Sequence, residues 1–331
     1  MYIKNKSKIY YFYIHLNIGN IEIGVNLMKS LESKKLLLIK YKYLYLMILP
    51  GLIYVILFRY LPMVGIIISF KDYQIFKGIW NSPWIGFNNF RMLFESTKFY
   101  EVFRNTLLIS VYKIIFGFPA PIILAILINE VRNELFRRTI QTVVYLPHFI
   151  SWIVVAGLMG GLLSPNDGII NNIIKTFGKE PIFFMGSPKY FRSVLVFSDI
   201  WKEAGWGAII YLAALAGVSV ELYEAAILDG TNKFQRIVYV SIPCIMPTIV
   251  VMFLLRISGI LNAGFEQVFS LYNSAVYSVG DIIDTYVYRV GLIETRYGFS
   301  TAVGLFKSII ACVLVIIANS FTKRISEESL F

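Results

Sequence analysis

The sequence predicts an all-α integral membrane protein with six transmembrane helices, and three observations carry that prediction. Of its 331 residues, 57% are hydrophobic and only 15% charged, whereas charged residues make up about a quarter of an ordinary soluble domain. The mean hydropathy is +0.67, and aromatic residues reach 16%, as expected where Trp and Tyr collect at the two headgroup levels. Six stretches, at roughly 44–70, 105–129, 142–163, 194–217, 243–265 and 300–322, supply the run of about 20 mainly apolar residues that a crossing needs.

The first span follows Lys34, Lys35, Lys40 and Lys42 and carries Pro50 and Pro62, which a membrane helix accommodates as kinks. That basic flank places the N-terminus in the cytoplasm by the positive-inside rule, and six crossings return the C-terminus to the same side. Inner and outer loops hold similar numbers of Lys and Arg, but the inner loops are shorter, so charge density agrees. The net charge of +11 then reads as membrane flanks facing anionic lipid, not as a nucleic-acid surface. Residues 1–27 are basic and aromatic, without a signal-peptide core or a small-residue cleavage site. Because Met28 offers a second start, they read as an extension upstream of the true one.

Chemistry-bearing motifs are scarce. Cys244 and Cys312 lie inside apolar runs, which argues against a disulfide framework or a metal site. His15 and His148 are the two histidines, and neither reads as a ligand. With no phosphate-cradling glycine loop and no nucleophile elbow, the chain offers no catalytic constellation and no cofactor site.

The stretch "EAAILDGTNKFQRIVYVSIPCIMP", from Glu224 to Pro247, interrupts this apolar pattern. Glu224 to Leu228 read as helix, Asp229 as its end, Gly230 as a break able to take positive φ, and Thr231 or Asn232 as the cap of a second helix. Pro243 and Pro247 mark the next span. On physics alone, an ordinary interfacial helix on the cytoplasmic face explains the elbow equally well.

The order Glu224-Ala225-Ala226, three residues, Gly230, nine residues, Val240, then Ile242-Pro243 resembles the EAA signature of permease subunits of binding-protein-dependent ABC importers. Further segments, among them "LPGLIYVILFRYLPMVGIIISFKDY", "QTVVYLPHFISWIVVAG", "SDIWKEAGWGAIIYLAAL" and "TAVGLFKSIIA", resemble the carbohydrate branch of that family, especially permeases for fragments of polysaccharides such as alginate or pectin. The likeness runs from about Tyr43 to the C-terminus.

The resemblance implies the type I importer architecture. A cytoplasmic segment 1–43 precedes a permease domain at 44–324, whose coupling elbow lies at about 221–243, and a tail at 325–331 follows. It implies that Glu224, Ala225, Ala226 and Gly230 form a knob docking on a cytoplasmic ATPase, flanked by Asp229 and Pro243, with Glu224 as the charged contact. It also implies a second and different permease subunit, two ATPases that bind ATP and Mg, and an extracellular solute-binding protein, all at the bacterial cytoplasmic membrane.

Ionisable residues inside spans are costly and hence functional candidates. Here they are Arg59, Lys113, Asp199, Lys202, Glu203, Arg256, Glu266 and Lys307, with Arg104 at an entrance. Asp199 and Lys202 are three apart and share a helix face, which suggests mutual neutralisation. Trp201 and Trp206 flank them, and aromatic faces beside convergent polar groups suit sugar rings. Trp152, Tyr286 and Tyr288 extend that candidate pathway. The surplus of cations over acids suggests an acidic fragment as cargo. A secondary transporter of a polar solute is the alternative, although no internal repeat is evident, and a glycan-handling membrane enzyme would need paired carboxylates.

Overall fold

The computed structural model describes residues 40–325. The expected extension at 1–27, His15 and the tail from residue 326 lie outside the described residues. Those that are described are helical apart from turns and one isolated two-residue bridge between Lys71 and Trp84. They form two units, one ending at Val64 and the other running from Gly65.

The first unit is helix α1 (Lys42–Val55), with Pro50 inside it, followed by a wide turn at Ile56–Tyr60. Pro50 contributes no N–H to the helix, and the backbone continues as one apolar helical run, Lys42–Phe70.

In the second unit, α2 (Thr97–Tyr112) and α3 (Pro119–Asn129) join through a wide turn at Lys113–Gly117 into one crossing, Thr97–Asn129. Ser96 caps α2, accepting from the Phe99 N–H. The expected third span is not a straight helix. α4 (Glu134–Tyr145), extended by the tight turn Leu146–Phe149, meets α5 (Trp152–Leu162) at 106°. Pro147 supplies no N–H and Ser151 caps a new helix, so the ladder stops at His148–Ile150.

The fourth crossing is α6 (Pro188–Ala216), and the chain turns by 73° into α7 (Val220–Leu228), the expected elbow. α8 (Lys233–Arg236) begins on a reciprocal capping box between Asn232 and Gln235. The helical run then continues to Ser258, its last section being α9 (Ile242–Ser258). The expected fifth span therefore ends seven residues early. A turn at Gly259 and a left-handed Gly264 (φ +94°) break the helix, and α10 (Phe265–Leu271) restarts after them. α11 (Ile283–Tyr288) precedes the last crossing, α12 (Tyr297–Ile325). Four uninterrupted helices and two bent pairs thus account for six crossings.

Three buried clusters hold the second unit together. One joins Ile109, Val155, Phe191, Leu195, Val268 and Ile282; a second gathers Leu93, Phe99, Ile283, Phe299 and Val303; the third packs Ala125 against Ala208, Tyr211 and Ile245. Each draws on helices far apart in sequence, so the core lies between spans and the outward faces remain apolar, as a lipid surround permits.

Candidate functional site: a polar cavity between the spans

A cavity of about 550 Å³ opens within the second unit, lined by Lys113, Trp152, Asp199, Glu203, Trp206, Tyr211, Arg256, Asn262, Gly264 and Gln267, among others. Its size falls inside the roughly 300–1,000 Å³ typical of small-molecule sites. Five elements meet there, and each departs from regular helix or carries charge at the meeting point. α2 turns wide at Lys113, the third span breaks before Trp152, α6 presents Asp199 and Glu203, α9 ends beside Arg256, and Gly264 starts α10.

Asp199 is the hub. Its carboxylate receives Lys113 Nζ at 3.0 Å on one oxygen and Arg256 Nη2 at 3.3 Å on the other. Lys113 also donates to the Ala263 carbonyl at 2.9 Å and to Gln267 Oε1. Gln267 in turn donates to the Leu195 carbonyl and to Ser198 Oγ. A charged group taken out of water is tolerated when paired and hydrogen-bonded, and this network meets that condition. The left-handed backbone at Gly264 belongs to it, since a β-carbon there would lie 2.9 Å from Lys113 Nζ.

Lys202 does not pair with Asp199 as the spacing suggested. Helical twist carries its ammonium to the other flank, where it donates to the His148 carbonyl at 2.5 Å, lies 5.5 Å from the Trp152 ring centre and sits 3.5 Å from Glu203. It thereby satisfies one of the carbonyls freed by the break in the third span. His148, unassigned from sequence, contacts Glu203 at 2.8 Å and stacks on Trp206 with centroids 4.6 Å apart. Its signal was a polar ring beside a helix-stopping proline inside an apolar run. Gln267 carried no such signal, being uncharged and close to a predicted span end.

Of the predicted pathway residues, Trp152, Asp199, Glu203, Trp206 and Arg256 line the cavity. Lys202 is buried behind it, whereas Trp201 is exposed and outside the lining. Tyr286 is a core residue, packed with Leu93, Phe99 and Phe299. Glu266 is exposed on the first turn of α10. Lys307 forms an ion pair with Asp284 at 2.6 Å and donates to Asn262 at 2.8 Å. Tyr288 joins Phe265 and Phe269 in a ring cluster at a second, more open recess with Asp284. Arg59 belongs to the first unit, exposed in its wide turn.

The elbow is a separate feature. Ser219 caps α7, Asp229 ends it, Gly230 takes φ +77°, and the Thr231 hydroxyl folds back onto the Ala226 carbonyl at 2.5 Å. Glu224, Ala225, Asp229 and Gly230 are exposed, while Ala226 is turned inward. Tyr223 hydroxyl meets Ser241 Oγ at 2.9 Å, which fastens α7 to the fifth crossing, and Pro243 and Pro247, expected at the start of that crossing, both lie within its continuous run Lys233–Ser258.

Residues 117–327 match the family of binding-protein-dependent transport system inner membrane components, and the chain belongs to that family. It is a multi-pass membrane transport subunit. Among relatives, it is 46% identical over 88% of its length to protein LplB of Bacillus subtilis, covering 91% of that protein. It is 45% identical over 91% of its length to the polygalacturonan/rhamnogalacturonan transport system permease protein YteP of the same species, covering 94% of it. It also superposes with TM-score 0.81 and 42% identity on a chain of a bacterial ABC transporter involved in the import of the acidic polysaccharide alginate, spanning 87% of this chain and 98% of that one.

Proposed function

We propose that the chain is a pathway-forming permease subunit of an ATP-driven importer that takes up oligosaccharides derived from polysaccharides. The observation that carries this is the cavity at the meeting point of the broken spans, where Trp152 and Trp206 stand beside Asp199, Glu203 and Arg256. Sugar rings stack on aromatic faces and need partners for their hydroxyls, and both provisions line one cavity. The proteins named above, which include a polygalacturonan/rhamnogalacturonan transport permease and a chain of a transporter involved in alginate import, support the same cargo class. In this reading ATP and Mg bind on two cytoplasmic partner subunits, a second permease completes the pathway, a solute-binding protein delivers the cargo, and both termini face the cytoplasm. The permease itself performs no chemistry on the cargo. The exposed face of the elbow, Glu224, Ala225, Asp229 and Gly230, docks on an ATPase, and the Tyr223–Ser241 bond passes its movement to the fifth crossing. The cavity is thereby exposed to one side of the membrane and then to the other.

The test is crosslinking of Ala225→Cys to the ATPase in the assembled importer, with Cys244 and Cys312, both exposed thiols, replaced by Ser beforehand. A crosslink whose yield changes with nucleotide is the expected result. An assembled complex that gives no crosslink, with the elbow shown to face the cytoplasm, would remove the coupling role and return the secondary-transporter reading.

A further inference from the structure

The geometry points to Arg256 as the residue that recognises a carboxylate on the transported oligosaccharide, exchanging its bond to Asp199 for one to the cargo. This rests on the importer reading above and narrows the cargo to acidic fragments. Three cations and two acids meet around the cavity, and they are not equivalent. Lys202 is spent on the His148 carbonyl and Glu203, and Glu203 is also held by His148. The Lys113 side chain is 7% exposed and tied to Asp199, Ala263 and Gln267.

Arg256 stands apart. Its side chain is 41% exposed, and among the described residues it makes one long hydrogen bond, Nη2 to Asp199 at 3.3 Å. Its Nε and Nη1 carry no bond among the described residues, and once Nη2 leaves Asp199 it forms with either of them the fork that binds a carboxylate through two parallel bonds. Asp199 does not suffer by the exchange, because Lys113 remains 3.0 Å from its other oxygen. A neutral sugar offers no charge to compete with Asp199. A uronate does, and it enters a cavity whose remaining charges are already balanced in pairs. Gly117 keeps the space beside the pair clear of a side chain, since a β-carbon there would stand in contact, 3.7 Å from both Arg256 Nη2 and Asp199 Oδ2.

The experiment compares uptake of a labelled oligogalacturonate with uptake of the same oligomer after its carboxyl groups are reduced to alcohols. It uses the complete importer carrying wild-type chain, Arg256→Gln or Arg256→Lys. Hydrogen bonds to charged groups correspond to a loss of about 10- to 100-fold in acidic-fragment uptake for Arg256→Gln. Arg256→Lys, which keeps the charge without the fork, is expected to recover part of it, and uptake of the reduced fragment is expected to stay at or above wild type in both variants. Equal loss of both fragments in Arg256→Gln, or undiminished acidic uptake, overturns the assignment. Where the wild type carries the acidic fragment alone, a loss in Arg256→Lys as deep as in Arg256→Gln overturns it. Wild-type uptake restricted to the reduced fragment overturns the carboxylate role and leaves oligosaccharide import standing, whereas uptake of neither removes both.

Discussion

The elbow and the cavity are built in opposite ways. The features that shape the elbow are local, and the Tyr223–Ser241 bond, 18 positions apart, ties it to the fifth crossing. The elbow's caps, its left-handed glycine and the Thr231 bond to the Ala226 carbonyl connect residues within five positions of one another. The cavity is assembled at a distance, with Asp199 57 positions from Arg256 and Lys113 154 from Gln267. A local device keeps its shape when its surroundings move, which suits a part that transmits force. A device made from several spans changes shape when they do, which suits a part that must alternately hold and release.

The largest test of this contrast is Asp199→Ala. It strands the buried Lys113 ammonium and removes the neighbour of Arg256, and losing one partner of a buried pair costs about 3–5 kcal/mol. Thermal unfolding in detergent should show a deep fall in midpoint or loss of the assembled complex. A Tm within a degree of wild type would mean that the triad is not a structural hub.

The same substitution at two glycines sharpens the comparison. Gly264→Ala imposes strain at φ +94° and brings a methyl group to 2.9 Å from Lys113 Nζ, so a cost of about 1–3 kcal/mol is expected. Gly230→Ala also imposes a left-handed backbone, at φ +77°, but its β-carbon meets open space, and about 1 kcal/mol is expected. Matching unfolding midpoints for the two variants would erase the distinction. Asn232→Ala, which removes the capping box of α8, should cost about 1 kcal/mol while leaving cavity-dependent uptake intact, measurable by unfolding and transport in parallel.

The smallest effect concerns the loop beside α10. Burial, together with Tyr277 and Asp281, pushes the Tyr272 hydroxyl up to about 12 from the ordinary 10. The folded state thus favours the protonated phenol, so this contribution is complete below about pH 10 and lost as pH rises toward 12. Unfolding midpoints followed through that window should fall less for Tyr272→Phe than for wild type; identical curves would dismiss the contribution.

The same contrast explains what could be read from sequence. Helix, break and cap at the elbow follow from backbone preferences of adjacent residues. Gly230 was therefore placed correctly without coordinates, and the cap was narrowed to Thr231 or Asn232, of which Asn232 holds it. Pro243 and Pro247, by contrast, fall inside the run Lys233–Ser258 and not at its start. Asp199, Glu203 and Arg256, which line the cavity, stood out as candidates because charge in an apolar run is conspicuous, but their partners did not. The i,i+3 rule favoured Lys202 for Asp199 and lost to two cations from other helices. Tyr286 shows the reverse error, since an aromatic ring carries no mark of whether it lines a cavity or fills a core. The break in the third span was foreshadowed by Pro147 and Ser151, yet uniform hydropathy concealed it.

That break bears on how the protein is made. At 11 residues, α5 reaches about 16 Å, roughly half of a hydrocarbon core near 30 Å thick, and its preceding helix ends in carbonyls that need a donor. Lys202, which supplies that donor to His148, is synthesised some fifty residues later on α6. As the chain is made, the third crossing therefore completes its hydrogen bonding only once the fourth has packed against it.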